Sequence, residues 1–160
     1  MIENLINYLK ENGWYITSND SFVDVSNNDV LKHFENLSPL FIKLMANYKK
    51  IISKDETVWF LCLDDYNDSS ESAFKWNEFE LLSLEATAGD EQWEKEIREW
   101  WADKLPIILS VGGEYSYYAI DAGKDGAIIY GYEPEFEEED VVADNFEDFI
   151  NKLINGVITL

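Results

Sequence analysis

A single cysteine and a single histidine stand among the 160 residues, and that scarcity excludes much at the outset. No internal disulfide can form, and a Cys/His zinc site has too few ligands. Cys62 lies inside the apolar run Val58-Trp59-Phe60-Leu61-Cys62-Leu63, which predicts a buried, inert thiol in a reducing compartment. His33 is the only imidazole, between Lys32 and Phe34, and reads as structural or solvated. There is no Gly-x-Ser-x-Gly motif to present a nucleophile, and no glycine-rich phosphate loop opening a helix. No apolar run approaches the 18 residues of a membrane span. The first residues, MIENLINYLKENG, are amphipathic and carry Glu3 and Glu11 rather than a basic and then continuously apolar leader. These features predict a cytoplasmic protein.

Positive charge is also scarce. Only 12 Lys and Arg face 33 Asp and Glu, for a formal net charge of -21. Residues 1 to 80 hold 14 acidic and 7 basic side chains; residues 81 to 160 hold 19 and 5, so the second half sets the field. Residues 32 to 54, with five lysines against Glu35, form the only locally positive part. Such a chain repels nucleic acid and anionic membranes and attracts basic proteins. Aromatics make up 15% and apolar residues 46% of the chain, far from a disordered acidic composition. The length fits one domain spanning 1–160.

The clearest organisation lies between Leu105 and Leu153. LPIILSV reads as a strand, Gly112-Gly113 as a turn, EYSYYAID as an aromatic strand, Gly123 to Gly126 as a second turn and AIIYGYE as a third strand. PEFEEED follows as an acidic loop, then a helix capped by Asp144 or Asn145 that buries Phe146, Phe149, Ile150, Leu153 and Ile154.

Upstream, Ile2, Leu5, Ile6 and Leu9 predict a helix ended by Gly13. Trp14 to Ile16 suggest a short strand, and Val30, Leu31, Phe34 and Leu37 a short helix. Ser38 and Pro39 open a helix whose stripe runs through Leu40, Phe41, Leu44, Met45, Tyr48, Ile51 and Ile52. Thr57 to Leu63 reads as a central strand, Asp64 to Ser72 as a surface loop, and Phe79, Leu81, Leu82 and Leu84 as another strand. Asp90 starts a helix with Trp93, Ile97, Trp100 and Trp101 on one face, whose tryptophans read as core. The fold class is α+β: a mainly antiparallel sheet with two consecutive C-terminal hairpins, flanked by N-terminal, inserted and C-terminal helices.

At Leu105-Pro106-Ile107, Gly112-Gly113-Glu114-Tyr115, Tyr118, Ile120-Asp121, Gly126 and Val142 to Phe149, the chain resembles the SUKH superfamily, which includes many bacterial immunity proteins and a fungal cell-wall regulator. The likeness covers about residues 36 to 155. It departs from the family pattern where Ser38 separates Leu37 from Pro39 and where no glycine follows Tyr48. The resemblance implies a single SUKH-like α+β domain that is not an enzyme, takes no cofactor and neutralises a toxin domain by binding it.

The residues themselves point to a docking surface. Glu133, Glu135, Glu137, Glu138, Glu139 and Asp140 place six acids in eight residues, at a cost in self-repulsion and with no evident packing gain. They read as a docking loop for a Lys- and Arg-rich partner, with Tyr130, Tyr132 and Phe136 as aromatic anchors. Asp64, Asp65 and Asp68 form a smaller acidic cluster on the same reading. Neither this cluster nor Asp121 with Asp125 matches a calcium loop, so no metal is expected. A glycosidase-like carboxylate pair is compatible with so many acids, yet the pattern singles out none. The leading expectation is a stoichiometric immunity-type binder of a basic toxin domain, conceivably a nuclease. The alternative is a regulatory or scaffold module whose acidity serves solubility.

Overall fold

The computed structural model describes all 160 residues. Seven strands form one sheet in chain order, each antiparallel to the next. They are β1 (Tyr15–Ser18), β2 (Tyr48–Ile52), β3 (Val58–Phe60), β4 (Lys104–Ser110), β5 (Ser116–Asp121), β6 (Ala127–Tyr132) and β7 (Glu139–Ala143). Six helices flank it: α1 (Ile2–Glu11), α2 (Pro39–Asn47), α3 (Leu63–Tyr66), α4 (Glu78–Thr87), α5 (Glu91–Trp101) and α6 (Phe146–Ile154). This is the α+β class that the segregation of strand and helix patterns predicts.

Adjacent strand residues point to opposite faces, and Tyr117 and Tyr118 show what each face meets. Tyr117 packs against Trp101 of α5 (ring centroids 5.1 Å apart) and Phe79 of α4 (6.0 Å). Tyr118 packs against Phe149 of α6 at 5.2 Å. The α6 side also holds α2, through a Phe41–Phe146 edge contact at 5.5 Å, and the segment after α1, through Trp14–Phe60 at 5.9 Å. One continuous apolar cluster joins both layers, from Ile2 to Ile158.

The helix ends follow their expected chemistry. Ser38 Oγ accepts from Leu40 N at 3.3 Å with Pro39 at the first helical position. Asp90 accepts from Trp93 N at 3.0 Å. At α6, Asn145 accepts from Asp148 N while Asp148 accepts from Asp144 N, at 2.9 and 3.0 Å, so Asn145 is the cap. Gly13, at φ 82°, terminates α1 in the left-handed region.

Five expectations are corrected. The stripe from Leu40 to Ile52 is not one helix: α2 stops at Asn47 and Tyr48–Ile52 is a strand. There the β-branched Ile51 and Ile52 pair with β1 on one side and β3 on the other, and a place between two strands overrides a helical spacing. Phe79 to Leu84 is helix α4, with Phe79, Ser83 and Thr87 buried one turn apart. Its leucines are half-buried on several sides, which blurs the period that distinguishes helix from strand.

Around Val30 to Leu37 only a 3-10 turn forms, Leu31–His33, held by Asn28 Oδ1 accepting from Val30 N and Leu31 N. The segment 64–72 opens on α3, whose Tyr66 is buried and donates to Pro106 O at 2.6 Å. The acidic loop is shorter than expected because Glu139 and Asp140 belong to β7.

Candidate interaction surfaces

The run 133–140 does not face solvent as a unit. Glu133 accepts from Tyr115 N at 2.7 Å and Glu137 from Trp101 Nε1 at 2.7 Å, while Glu139 pairs with Lys124. Only Glu135, Glu138 and Asp140 are fully exposed. Phe136 is a core residue rather than an available anchor: it is 5% exposed and lies parallel to Phe79 with centroids 4.6 Å apart. Its carbonyl accepts from the Tyr117 hydroxyl.

Tyr130 and Tyr132 lie on the opposite, α6 face, in a row with Tyr118 at 4.9 and 5.7 Å. Tyr132 is exposed and Tyr130 half-buried. Burial pushes the Tyr118 hydroxyl up to about 12, and this hydroxyl donates to Thr159 O at 3.0 Å. Asp140, paired across to Tyr130, shares this face, whereas Glu139, paired across to Gly131, and Glu137, bonded to Trp101, turn to the other, so the tyrosines and the acidic run as a whole do not form one epitope.

Acids from three elements do converge on the α4–α5 side. Glu80 of α4 has its carboxyl pushed up by burial; nearby Arg98 of α5 opposes that rise and the Glu137 carboxylate adds to it. Glu91, Glu96 and Glu99 are exposed on α5, and Arg98 is tied to Glu94 at 3.0 Å. On the same helix Trp93 is 44% exposed, which corrects its expected core role. Trp101 is buried, and Trp100 lies half-buried beneath Lys104, whose Nζ is 4.8 Å from the ring centroid. Trp93 carries no local signal of this: its spacing places it beside Ile97, yet the face it joins runs past the edge of the core.

Asp121 and Asp125, weighed for calcium, have different roles. Asp121 is fully buried and held by the protein's own cations, Lys104 Nζ at 3.3 Å and Lys124 Nζ at 3.7 Å, with Gly123 N donating at 3.0 Å. Asp125 occupies a left-handed turn position at φ 54°. No group of three or more His, Cys, Asp or Glu side chains is arranged to hold a metal ion. Cys62 is buried, and that burial pushes its thiol up, away from thiolate chemistry.

The second acidic cluster belongs to a different surface. Over the α4–α5 face of β1 to β3, where no helix packs, the segment after α3 borders a groove of about 680 Å³. Its lining takes exposed Asp64 and Glu71 from the crossing loop, exposed Lys49 and Lys50 from β2 and exposed Glu56 from the β2–β3 turn, together with Trp59 and Phe74. Asp65 accepts from Cys62 N at 2.7 Å, and burial raises its carboxyl. Asp68 faces solvent 3.9 Å from Lys75 and does not line the groove. This groove escapes sequence reading because its walls come from β2 and from a loop that crosses the sheet.

An aromatic row crosses the sheet from the groove to the acidic segment: Trp59–Phe74, Phe74–Tyr115, Tyr115–Phe79 and Phe79–Phe136, each 4.6 to 5.9 Å apart. No protein-family model matches the chain, and no curated protein matches its sequence. No helix is long and apolar enough to cross a membrane.

Proposed function

We propose that this chain is a cytoplasmic, non-catalytic binding protein of the SUKH immunity type that neutralises a basic toxin domain by covering it one-to-one. The observation that carries the reading is the nearness of Glu80 on α4 to Glu137 of the acidic segment, which is bonded to Trp101 of α5, while Glu135 and Glu138 of that segment and Glu91, Glu96 and Glu99 of α5 stay exposed. With -21 net charges on 8787 Å² of surface, the mean is about one per 420 Å². A patch of roughly 800 Å², the usual share of one partner, then carries about two, and more where it takes in the acidic segment. Such a field raises the association rate, up to roughly 10⁸ to 10⁹ M⁻¹s⁻¹ at low salt, and an exposed tryptophan supplies the desolvated anchor that interfaces favour.

The test is capture of partners at low salt, followed by an inhibition assay. A single basic protein whose toxic activity falls to zero at one equivalent supports the reading, with an association rate that drops steeply with salt and in the variant E135S/E138S. Recovery of only mixed basic proteins that salt removes, with no activity inhibited, overturns it in favour of a scaffold module.

A further inference from the structure

We propose that the groove over β1 to β3 is a second binding site, one that takes an extended polypeptide segment in which basic and acidic side chains alternate. The proposal rests on reading the chain as a binding module, but it concerns a surface separate from the acidic face.

Three observations carry it. First, the acids of the crossing loop and the lysines of β2, with Glu56 of the next turn also in the lining, do not neutralise each other. In a protein with 12 cationic side chains against 33 acidic ones, neither Lys49 nor Lys50 takes part in any ion pair. Asp64 and Glu71 across the groove take part in none either. A ligand that carries charges of both signs would therefore find an unpaired partner for each.

Second, the floor holds an unspent donor. Trp59 is 8% exposed and lies in the groove against Phe74, 5.7 Å between centroids, and its Nε1 has no acceptor. A buried N–H without a partner is uncommon and costly. The atom itself is closed to solvent in the free protein, so an acceptor delivered from the groove satisfies it by opening the edge of the indole.

Third, the volume of about 680 Å³ lies within the range of formed ligand sites.

An extended backbone meets all three. Its successive side chains point to opposite sides, so a basic residue turned toward Asp64 and Glu71 has acidic neighbours turned toward Lys49 and Lys50. Backbone carbonyls then point across the walls' direction, toward floor and solvent, where one can accept from Trp59 Nε1. Ile52 and Phe74 supply apolar contact on either side of the indole. The site reads charge order: a run of one sign leaves one wall repelled.

The test uses the full chain, labelled with ¹⁵N, and two blocked hexapeptides of identical composition. One alternates Arg and Glu, Ac-Arg-Glu-Arg-Glu-Arg-Glu-NH₂, and the other is blocked by sign, Ac-Arg-Arg-Arg-Glu-Glu-Glu-NH₂. The Trp59 indole N–H cross-peak, assigned through bonds, is the readout. The alternating peptide should move this peak downfield and saturably at millimolar concentration, and the block peptide should need about fivefold more for half-saturation, since its mismatched wall forfeits exposed ion pairs. K49E/K50E and D64N/E71Q, all at exposed positions, should each weaken the alternating peptide severalfold without altering the free protein's spectrum elsewhere.

A Trp59 peak that stays fixed, or equal binding of the two peptides, overturns the proposal. Because no natural partner is needed, the outcomes separate: a fixed peak beside salt-sensitive capture of a basic toxin removes the groove site and leaves the proposed function standing. A moving peak with no toxin captured does the reverse.

Discussion

The ring of Tyr117 lies directly against Gly131, its cross-strand partner on β6, where a Cβ would meet the tyrosine oxygen at 2.5 Å and two ring carbons at 2.6 Å. The missing side chain lets Tyr117 lean over β6 and donate to the Phe136 carbonyl, which seats the acidic segment. Gly131→Ala should therefore destabilise by about 1 to 3 kcal/mol through overpacking, read as a lower urea midpoint. An unchanged midpoint would show that the ring moves aside freely.

Asp121 is buried with two lysines against it. Asp121→Asn leaves Lys104, itself 8% exposed, with only the Asp103 carboxylate at 4.0 Å as a charged partner and should cost about 3 kcal/mol. Replacing the pair together, as K104M/D121L, should cost less than either single change, because no buried charge remains uncompensated. Chemical denaturation of the three variants checks this.

Within the acidic run, Glu137 and Glu138 should behave differently despite being neighbours. Glu137→Ser strips the Trp101 indole of its acceptor and should cost about 1 to 3 kcal/mol. Glu138→Ser, at an exposed side chain, should stay within about 0.5 kcal/mol. Thermal melts of the two proteins under one buffer decide between them.

Asp65 gives a pH signature. Burial raises its carboxyl above the unfolded value, so the folded state binds this proton more tightly. The associated stability is present below the unfolded pKa and lost as pH rises through the folded one. Asp65→Asn keeps an oxygen for Cys62 N and carries no charge, so relative to the parent it should fare better at pH 7 than at pH 4. A difference independent of pH would mean that Asp65 is not desolvated.

Phe79 joins three aromatic partners on the α4 face. Phe79→Ala removes a side chain 2% exposed that touches Tyr115, Tyr117 and Phe136, for an expected loss of about 3 to 5 kcal/mol. Phe22→Ala, at a residue 78% exposed, should change stability by less than about 0.5 kcal/mol.

The parts legible in the chain were those whose partners lie close by in sequence. The hairpins β4–β5 and β5–β6 announce themselves through Gly112-Gly113 and Gly123 to Gly126, and α5 and α6 through Asp90 and Asn145. Tyr48–Ile52 was not legible, since its stripe suits a helix equally and only β1 and β3, some thirty residues before and six after, make it a strand. Glu78–Thr87 failed for the converse reason: leucines partly buried on several sides hide the helical period.

By itself, then, the sequence determined the class, the excess of negative charge and the positions of turns and caps, because these depend on composition and on neighbours a few residues apart. Which charges remain free was decided only in three dimensions. Glu133, Glu137 and Glu139 look the same as Glu135 and Glu138 along the chain, yet Tyr115, Trp101 and Lys124 reach the first three and nothing reaches the others. The groove was decided there as well: Lys49, Lys50, Asp64 and Glu71 line one cavity because strand pairing and the crossing loop bring them together, and no local pattern encodes a meeting between side chains so separated in sequence.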